Sequence, residues 1–201
     1  MKTKLSILLS ALFLLSACAG PNPNPGERTT DMAWSSGNFN RAYSVVAPRA
    51  ERGEPWAQLR LGIFYENGWG VDQDYKKAEY WYKKAAAQKA SGNWANGKLV
   101  GTVGKAGYFN QNSDALIAEF NLADMYFNGR DGVQKDFITA YILINDVLIE
   151  SNGNSVFFCC EFFGGRYFTQ KQFAGLRDKI KAEMTIEQFK QAEENINKSG
   201  S

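Results

Sequence analysis

The sequence predicts an all-α fold, a short right-handed α-solenoid of helix hairpins with one inserted loop. Two observations predict it: one pattern of small, apolar and turn residues occurs twice, about 61 residues apart, and the apolar residues within each copy have helical spacing. A helix pair cannot bury its apolar face alone, so successive pairs are expected to stack. The pattern consists of Ala57, Leu61, Tyr65, Gly68, Gly70, Val71, Asp74 and Ala78, and again of Ala118, Leu122, Tyr126, Gly129, Gly132, Val133, Asp136 and Ala140.

The amino terminus combines two lysines with a short apolar run. Lys2 and Lys4 precede the run from Leu5 to Leu15, which is shorter than the ~20 residues of a membrane-spanning helix, so residues 1–17 are predicted to be a removable signal peptide. The sequence Leu15-Ser16-Ala17-Cys18 resembles the bacterial lipobox and implies lipidation of Cys18. Ala19 after this cysteine implies the outer membrane, facing the periplasm. The alternative is an ordinary secreted protein with a chance cysteine at this position.

The remaining chain divides into three predicted parts. Residues 18–30 start with a proline-rich stretch without apolar periodicity, which favours a flexible tether that lifts the domain off the membrane. Residues 31–194 are the predicted helical-repeat domain, and residues 195–201 are a predicted disordered tail.

Local signals predict the individual helices. A helix is expected from Asn38 to Arg52, as the second half of an incomplete unit and bent at Pro48. The next runs from Pro55 to Asn67 and ends at Gly68 in a left-handed cap, and Asp74 caps the helix that follows.

The second unit is predicted to span residues 113–150, with Asp136 as the matching cap. Thr185 and Gln188 form a capping box for a last helix that continues through Ala192. Ala42 of the incomplete unit lies 36 residues before Ala78, whereas Ala140 lies 62 residues after it. The longer interval therefore contains an insert, residues 91–112.

Composition excludes several kinds of site. The chain has no histidine, which removes Ser-His and Cys-His nucleophilic sites and histidine zinc sites. Residues 18–201 carry 21 basic and 21 acidic residues, and this balance argues against a nucleic-acid binder. No paired-carboxylate or phosphate-binding motif is found, so the sequence predicts a non-enzyme without a cofactor or metal.

Two adjacent cysteines, Cys159 and Cys160, lie in a very apolar segment. A disulfide between neighbouring residues would be strained, because their Cα atoms are ~3.8 Å apart. Two buried thiols are the favoured interpretation, and a redox switch or a link to another chain is the alternative.

The first unit resembles the Sel-like repeat (SLR), a relative of the tetratricopeptide repeat. Its glycines, aromatic residues and alanines match from Ala57 to Ala86, and the wider resemblance covers residues 37–90 and 113–194. In the second unit Leu143-Ile144 replaces Trp81-Tyr82 and Asp131 lengthens the turn. The resemblance implies an SLR/TPR-like solenoid that mediates contacts between proteins.

Candidate partner-binding residues lie where the chain departs from this repeat. The insert, residues 91–112, contains aromatic and basic residues, five glycines and no acidic residue, which suits an acidic protein partner. The alternative is a loop that folds back over the apolar side of the array. The candidates are Trp69 in the first turn, with a solvated aromatic as its alternative, and Trp94, Lys98, Lys105, Tyr108 and Phe109 in the insert.

The resemblance and the predicted anchor lead to one specific hypothesis and two alternatives. The hypothesis is a periplasmic immunity lipoprotein that binds and occludes a secreted lipase or phospholipase effector. The first alternative is an envelope scaffold or regulatory adaptor for another periplasmic complex. The second is a cell-wall or β-lactam hydrolase, although the regularly spaced cysteine pairs of such relatives are missing.

Overall fold

The computed structural model describes residues 25–88, 93–95, 98–100, 113–153, 156–158 and 166–199. Within these ranges the chain forms eight helices and two short β-hairpins. The helices are α1 (Pro25–Ser35), α2 (Phe39–Glu51), α3 (Pro55–Asn67), α4 (Tyr75–Ala86), α5 (Ser113–Asn128), α6 (Phe137–Glu150), α7 (Gln170–Glu183) and α8 (Ile186–Ser199). The strands are β1 (Asn93–Ala95), β2 (Lys98–Val100), β3 (Val156–Phe158) and β4 (Arg166–Phe168).

The helices stack in chain order. From α1 to α7 each helix packs against the next one along the chain. This includes α4 and α5, although the insert separates them in the sequence. Helix α3 also contacts α5, and α6 contacts α8. This order of contacts confirms the predicted all-α solenoid of helix hairpins. None of the helices in the described ranges is both long enough and apolar enough to cross a bilayer.

The structure differs from the predicted boundaries at both ends of the domain. Helix α1 begins at Pro25, so residues 25–30 are helical and do not belong to the tether predicted for residues 18–30. Proline suits the first turn of a helix, and Thr30 is 2% exposed, which shows that this helix is packed. Helix α1 also completes the unit that was predicted to be a half. At the other end, α8 continues to Ser199 because Ile196 packs against the core, so most of the predicted tail is helical.

Two connecting segments contain β-hairpins that the sequence did not predict. Strands β1 and β2 pair antiparallel within the insert, with Trp94 opposite Leu99. Strands β3 and β4 pair antiparallel between α6 and α7, with Phe157 opposite Tyr167. Cys159 and Cys160 lie outside the described residues, so the prediction of two buried thiols stays a prediction.

The predicted helix ends are confirmed. Gly68 ends α3 with a left-handed φ of 70°. The side chains of Asp74 and Asp136 cap α4 and α6 by accepting hydrogen bonds from the backbone N–H groups of Lys77 and Thr139. Because these caps satisfy donors that a helix start leaves unpaired, they fix where each second helix begins. The capping box of Thr185 and Gln188 is also formed.

The core is built from small residues at equivalent positions of the units. Ala42, Ala78 and Ala140 occupy the same position of α2, α4 and α6, and all three are 0% exposed. Ala57 and Ala118 in α3 and α5 are also 0% exposed. Such residues allow two helices to approach closely, which sets the spacing of each hairpin.

Gly62 marks the closest approach between α3 and α4. A Cβ atom placed on Gly62 would lie 2.5 Å from two ring carbons of Tyr82, which is 0% exposed. In the second unit Ala123 takes the place of Gly62 and Ile144 takes the place of Tyr82. The first helix thus has a larger residue there, and the second helix has a smaller one. The two units therefore fill the same space with different pairs.

A polar network joins the two units around Tyr82. The Tyr82 hydroxyl donates a hydrogen bond to the Glu66 carboxylate at the end of α3. Burial raises the pKa of Glu66, and the hydrogen bond from Tyr82 and the positive charge of Arg130 oppose this shift. Burial and the adjacent Glu66 carboxylate raise the pKa of Tyr82 well above its ordinary value. Arg130 also pairs with Asp124 of α5 at 3.2 Å.

We expect Gly62→Ala to destabilise the protein by about 1–3 kcal/mol, because the added methyl group overlaps the Tyr82 ring. Gly175→Ala is the matched control, since Gly175 lies inside α7 with no atom within 4 Å of an added Cβ. The control should gain about 0.5–1 kcal/mol from helix propensity. Urea unfolding measures both changes, and equal stability of the two variants would contradict the close contact.

We expect Glu66→Gln to change how stability depends on pH. The pKa of Glu66 is raised in the folded protein above its ordinary value of 4.5, so the folded state binds the proton more tightly than the unfolded chain. This group's contribution to stability is therefore present below the unfolded pKa and is lost as the pH rises through the folded pKa. The variant should gain stability relative to the parent protein between pH 4.5 and pH 7.

Denaturant unfolding at several pH values tests this change. Glu194→Gln, at an exposed position of α8, is the matched control for removing one carboxyl group. Identical pH profiles for the Glu66 and Glu194 variants would show that burial of Glu66 has no energetic effect.

Candidate protein-interaction surface

Trp69, one predicted binding residue, is part of the packing of the first unit. Its ring lies 4.4 Å from the ring of Trp34 in an edge-to-face arrangement and is stacked with Phe39 at 6.0 Å. Trp34 also contacts Phe64 of α3 edge-to-face at 5.2 Å. Half-buried Trp69 thus holds α1 and α2 against the first repeat turn. A partner contact by the part of Trp69 that stays exposed remains a prediction.

The structure brings two of the insert residues onto one hairpin. Trp94 is the central residue of β1, and Lys98 begins β2, opposite Ala95. Lys105, Tyr108 and Phe109 lie outside the described residues. Binding by the insert therefore stays a prediction, as does its alternative role as a cover.

A repeated hydrogen bond connects neighbouring units on the side of the repeat turns. Tyr65 of α3 and the equivalent Tyr126 of α5 each reach back to the second helix of the preceding unit. The Tyr65 hydroxyl lies 3.1 Å from that of Tyr43, and the Tyr126 hydroxyl donates to the carboxylate of Glu79. The equivalent tyrosine thus joins successive units, although its hydrogen-bond partner differs.

The ionisable groups around these tyrosines are stabilised in their usual charge states. Burial raises the pKa of Tyr65 to about 12, with a further contribution from the hydrogen bond with Tyr43. Burial also acts to raise the pKa of Glu79, but hydrogen bonds from Lys83 and Tyr126 outweigh it and lower that pKa. A neutral tyrosine and an ionised glutamate are suited to a fixed hydrogen bond between units. They do not provide a group that titrates near neutral pH.

The described residues do not assemble a metal site or a set of catalytic groups. Within those ranges no group of three or more Cys, Asp or Glu residues is placed to hold a metal ion. The buried carboxyl of Glu66 is the acid with the raised pKa, and its hydrogen bond to Tyr82 lies at the contact between helices. These positions indicate structural roles for the groups concerned.

The outward faces of the second helices differ from unit to unit, in contrast to their buried alanines. The three equivalent positions are exposed in α2 and α4. In α6 they are partly buried, and its two isoleucines pack against the core. The sequence alone does not single out these positions, because they lie within the repeat and not where the chain departs from it. The outward positions are Asn40, Ser44 and Pro48 in α2, Lys76, Tyr80 and Lys84 in α4, and Ile138, Ile142 and Asp146 in α6.

Comparison with known proteins identifies the repeats. The Sel1 repeat family matches residues 57–89 and 116–144. Chitin synthase regulator SKT5 from Saccharomyces cerevisiae is 42% identical over 50 residues, which are 25% of this chain and 7% of that protein. Sel1 repeats mediate interactions between proteins.

Two solved structures are similar to this chain. One is a protective antigen present in uropathogenic Escherichia coli strains, which displays an SLR fold. The two structures superpose with a TM-score of 0.56 at 19% sequence identity, and the match covers 86% of this chain and 28% of that chain. The other is a Sel1 repeat protein from Oxalobacter formigenes, with a TM-score of 0.45 at 21% identity, covering 64% of this chain and 41% of that chain. The chain spans less than half the length of each of these relatives.

The stacked helix hairpins and their glycine turns agree with the two matched ranges. Residues 57–89 and 116–144 thus match the Sel1 repeat family, and the fold of the described residues is similar to a solved SLR fold.

Proposed function

We propose that this chain is a non-enzymatic, lipid-anchored module of the bacterial envelope that binds another protein through its helical array. The observation that carries the proposal is the contrast between buried and outward positions of the second helices. The buried position is alanine in all three units, whereas the exposed positions are uncharged in α2 and include two lysines and a tyrosine in α4. In α6 two of the corresponding positions are isoleucines that pack against the core. A constant packing frame with a variable surface suits recognition of a partner.

The proposed anchor is the acylated thiol of Cys18, in the lipobox-like sequence. Because α1 begins at Pro25, only residues 18–24 separate the anchor from the packed array. At ~3 Å per residue this segment reaches about 20 Å. The array therefore lies close to the bilayer surface, with α1 as its membrane-proximal element.

The partner class that we propose to test first is a secreted phospholipase-type effector. The proposed anchor supports this choice, because inhibitor and effector would then act at the same membrane. The mechanism is occlusion: an interface of ~1,200–2,000 Å² is large enough to cover an active-site entrance or to block docking to lipid. A regulatory adaptor is the second candidate, supported by the similarity to a protein named as a chitin synthase regulator.

The immunity proposal predicts a toxic partner encoded beside this protein. We expect the product of the adjacent gene, exported to the periplasm of a bacterial host, to lyse cells that lack this chain and to spare cells that produce it. Cell survival and hydrolysis of phosphatidylglycerol vesicles by the purified pair measure the effect. A neighbour that is harmless in the periplasm would contradict immunity and favour the adaptor.

Cys18→Ser is the matched control for anchoring. This variant should lose incorporation of labelled palmitate and protection of cells, yet still inhibit the effector in the purified assay. Palmitate labelling of the serine variant would contradict the proposed anchor at Cys18.

A further inference from the structure

The outward face of α4 presents an aromatic ring in a fixed orientation. Tyr80 is 50% exposed, and its ring contacts the ring of Trp81 edge-to-face at 5.1 Å. Trp81 is only 6% exposed, so it supports Tyr80 from the core side. Lys84 lies one turn further along the helix, with its Nζ atom 5.2 Å from the centre of the Tyr80 ring. An exposed ring held in this way loses little conformational freedom when it is buried against a partner.

Two lysines on this face form no ion pair with any residue that the structure describes, although the charge of Lys76 helps to lower the pKa of Glu79. Lys77 pairs with Asp74 at 3.4 Å, and Lys83 pairs with Glu79 at 2.6 Å. Lys76 and Lys84 form no ion pair within the described part of the chain. They precede and follow Tyr80 by four residues, so all three side chains emerge on one side of the helix. We call Lys76, Tyr80 and Lys84 the α4 patch.

The α4 patch distinguishes this helix from its two counterparts. At the equivalent positions α2 has Asn40, Ser44 and Pro48, which carry no charge. Helix α6 has two isoleucines and Asp146, which reverses the sign of the charge. Ala78 and Tyr82 on the opposite face make the main contacts with α3 and α5. The aliphatic part of Lys76 also lies beside Gly132 in the turn of the second unit, which fixes the direction of this side chain.

We infer that the α4 patch docks an acidic segment of the protein partner, with carboxylates beside Lys76 and Lys84 and an apolar side chain against Tyr80. This inference rests on the proposed binding function and names its surface. Complementary charges at the edge of a contact speed association and select the partner, while a central aromatic ring supplies contact area.

The arrangement favours a protein over other polyanions. Nucleic acid needs a broad basic surface, whereas residues 18–201 have equal numbers of basic and acidic side chains. A bilayer surface attracts each lysine with only about 1 kcal/mol, so two lysines add little to an anchored protein. An acidic peptide can place carboxylates beside both lysines and an apolar side chain against the tyrosine ring between them.

The test measures binding of the full-length protein to two synthetic 15-residue peptides by fluorescence anisotropy. One peptide contains glutamate and leucine, and the other contains lysine and leucine in the same order. We expect the glutamate peptide to bind, with an affinity that falls as salt is added, and the lysine peptide not to bind. Lys76→Glu/Lys84→Glu should weaken binding of the glutamate peptide by about tenfold or more, and Tyr80→Ala should weaken it several-fold.

The matched control is Lys179→Glu/Lys190→Glu, which makes the same change in net charge at exposed positions of α7 and α8. Binding by this control should equal that of the parent protein, and circular dichroism should show that all variants are folded. Equal weakening by both double variants would overturn the inference, since it would reflect net charge alone. Equal competition by phosphatidylglycerol vesicles or duplex DNA would overturn it in favour of a general polyanion site.

Binding to the natural partner distinguishes failure of this inference from failure of the proposed function. If the patch variants bind the effector or adaptor as tightly as the parent protein does, the partner uses another surface and only the α4 patch is refuted. If the parent protein binds no protein partner, the proposed function itself fails.

Discussion

The structure depends on the close approach of paired helices at positions where only small residues fit. Ala42, Ala78 and Ala140 are completely buried at one equivalent position, and Gly62 brings α3 against the ring of Tyr82. Once this spacing is set, other contacts between units follow from it. Tyr65 and Tyr126 then lie within hydrogen-bonding distance of the preceding second helix, and the glycine turns place Asp74 and Asp136 at the next helix start. Larger side chains at these positions would separate the helices and break both sets of contacts.

The same constraint explains how a repeated fold acquires a specific surface. A helix in this array has one face committed to packing and another free to vary, because stability depends on the buried face. In α4 the exposed face holds two lysines without an ion pair in the described part of the chain, on either side of a half-exposed tyrosine, and a buried tryptophan packs beneath that tyrosine. We place recognition on such faces, and we place the array near a membrane through the proposed anchor at Cys18. Because only residues 18–24 separate Cys18 from α1, the proposed recognition faces stay close to the membrane surface.

The sequence predicted the helix spans and caps that depend on short-range signals. The span of α3, its glycine cap and the aspartate caps of α4 and α6 could be predicted because each is determined by a few neighbouring residues. The sequence does not reveal the start of α1 at Pro25, because the preceding proline-rich stretch has no helical periodicity. The packing of Trp69 is hidden for a different reason, since its partner Trp34 lies 35 residues earlier in the chain. The β-hairpins were missed because three-residue strands carry little periodicity. Tyr80 was passed over because nothing in the repeat pattern separates an exposed aromatic residue from the buried ones beside it.

The central claim is that packing at the small-residue positions, and not the outward face, determines the stability of the array. Placing leucine at equivalent sites tests it most directly, since leucine favours helix at every position and differs only in the space it meets. Urea unfolding should show losses of about 1–3 kcal/mol for Ala42→Leu, Ala78→Leu and Ala140→Leu. Asn40→Leu and Lys84→Leu, on the outward faces of α2 and α4, should stay within about 0.5 kcal/mol of the parent protein. Equal losses in the two sets, or larger losses on the outward faces, would contradict the account.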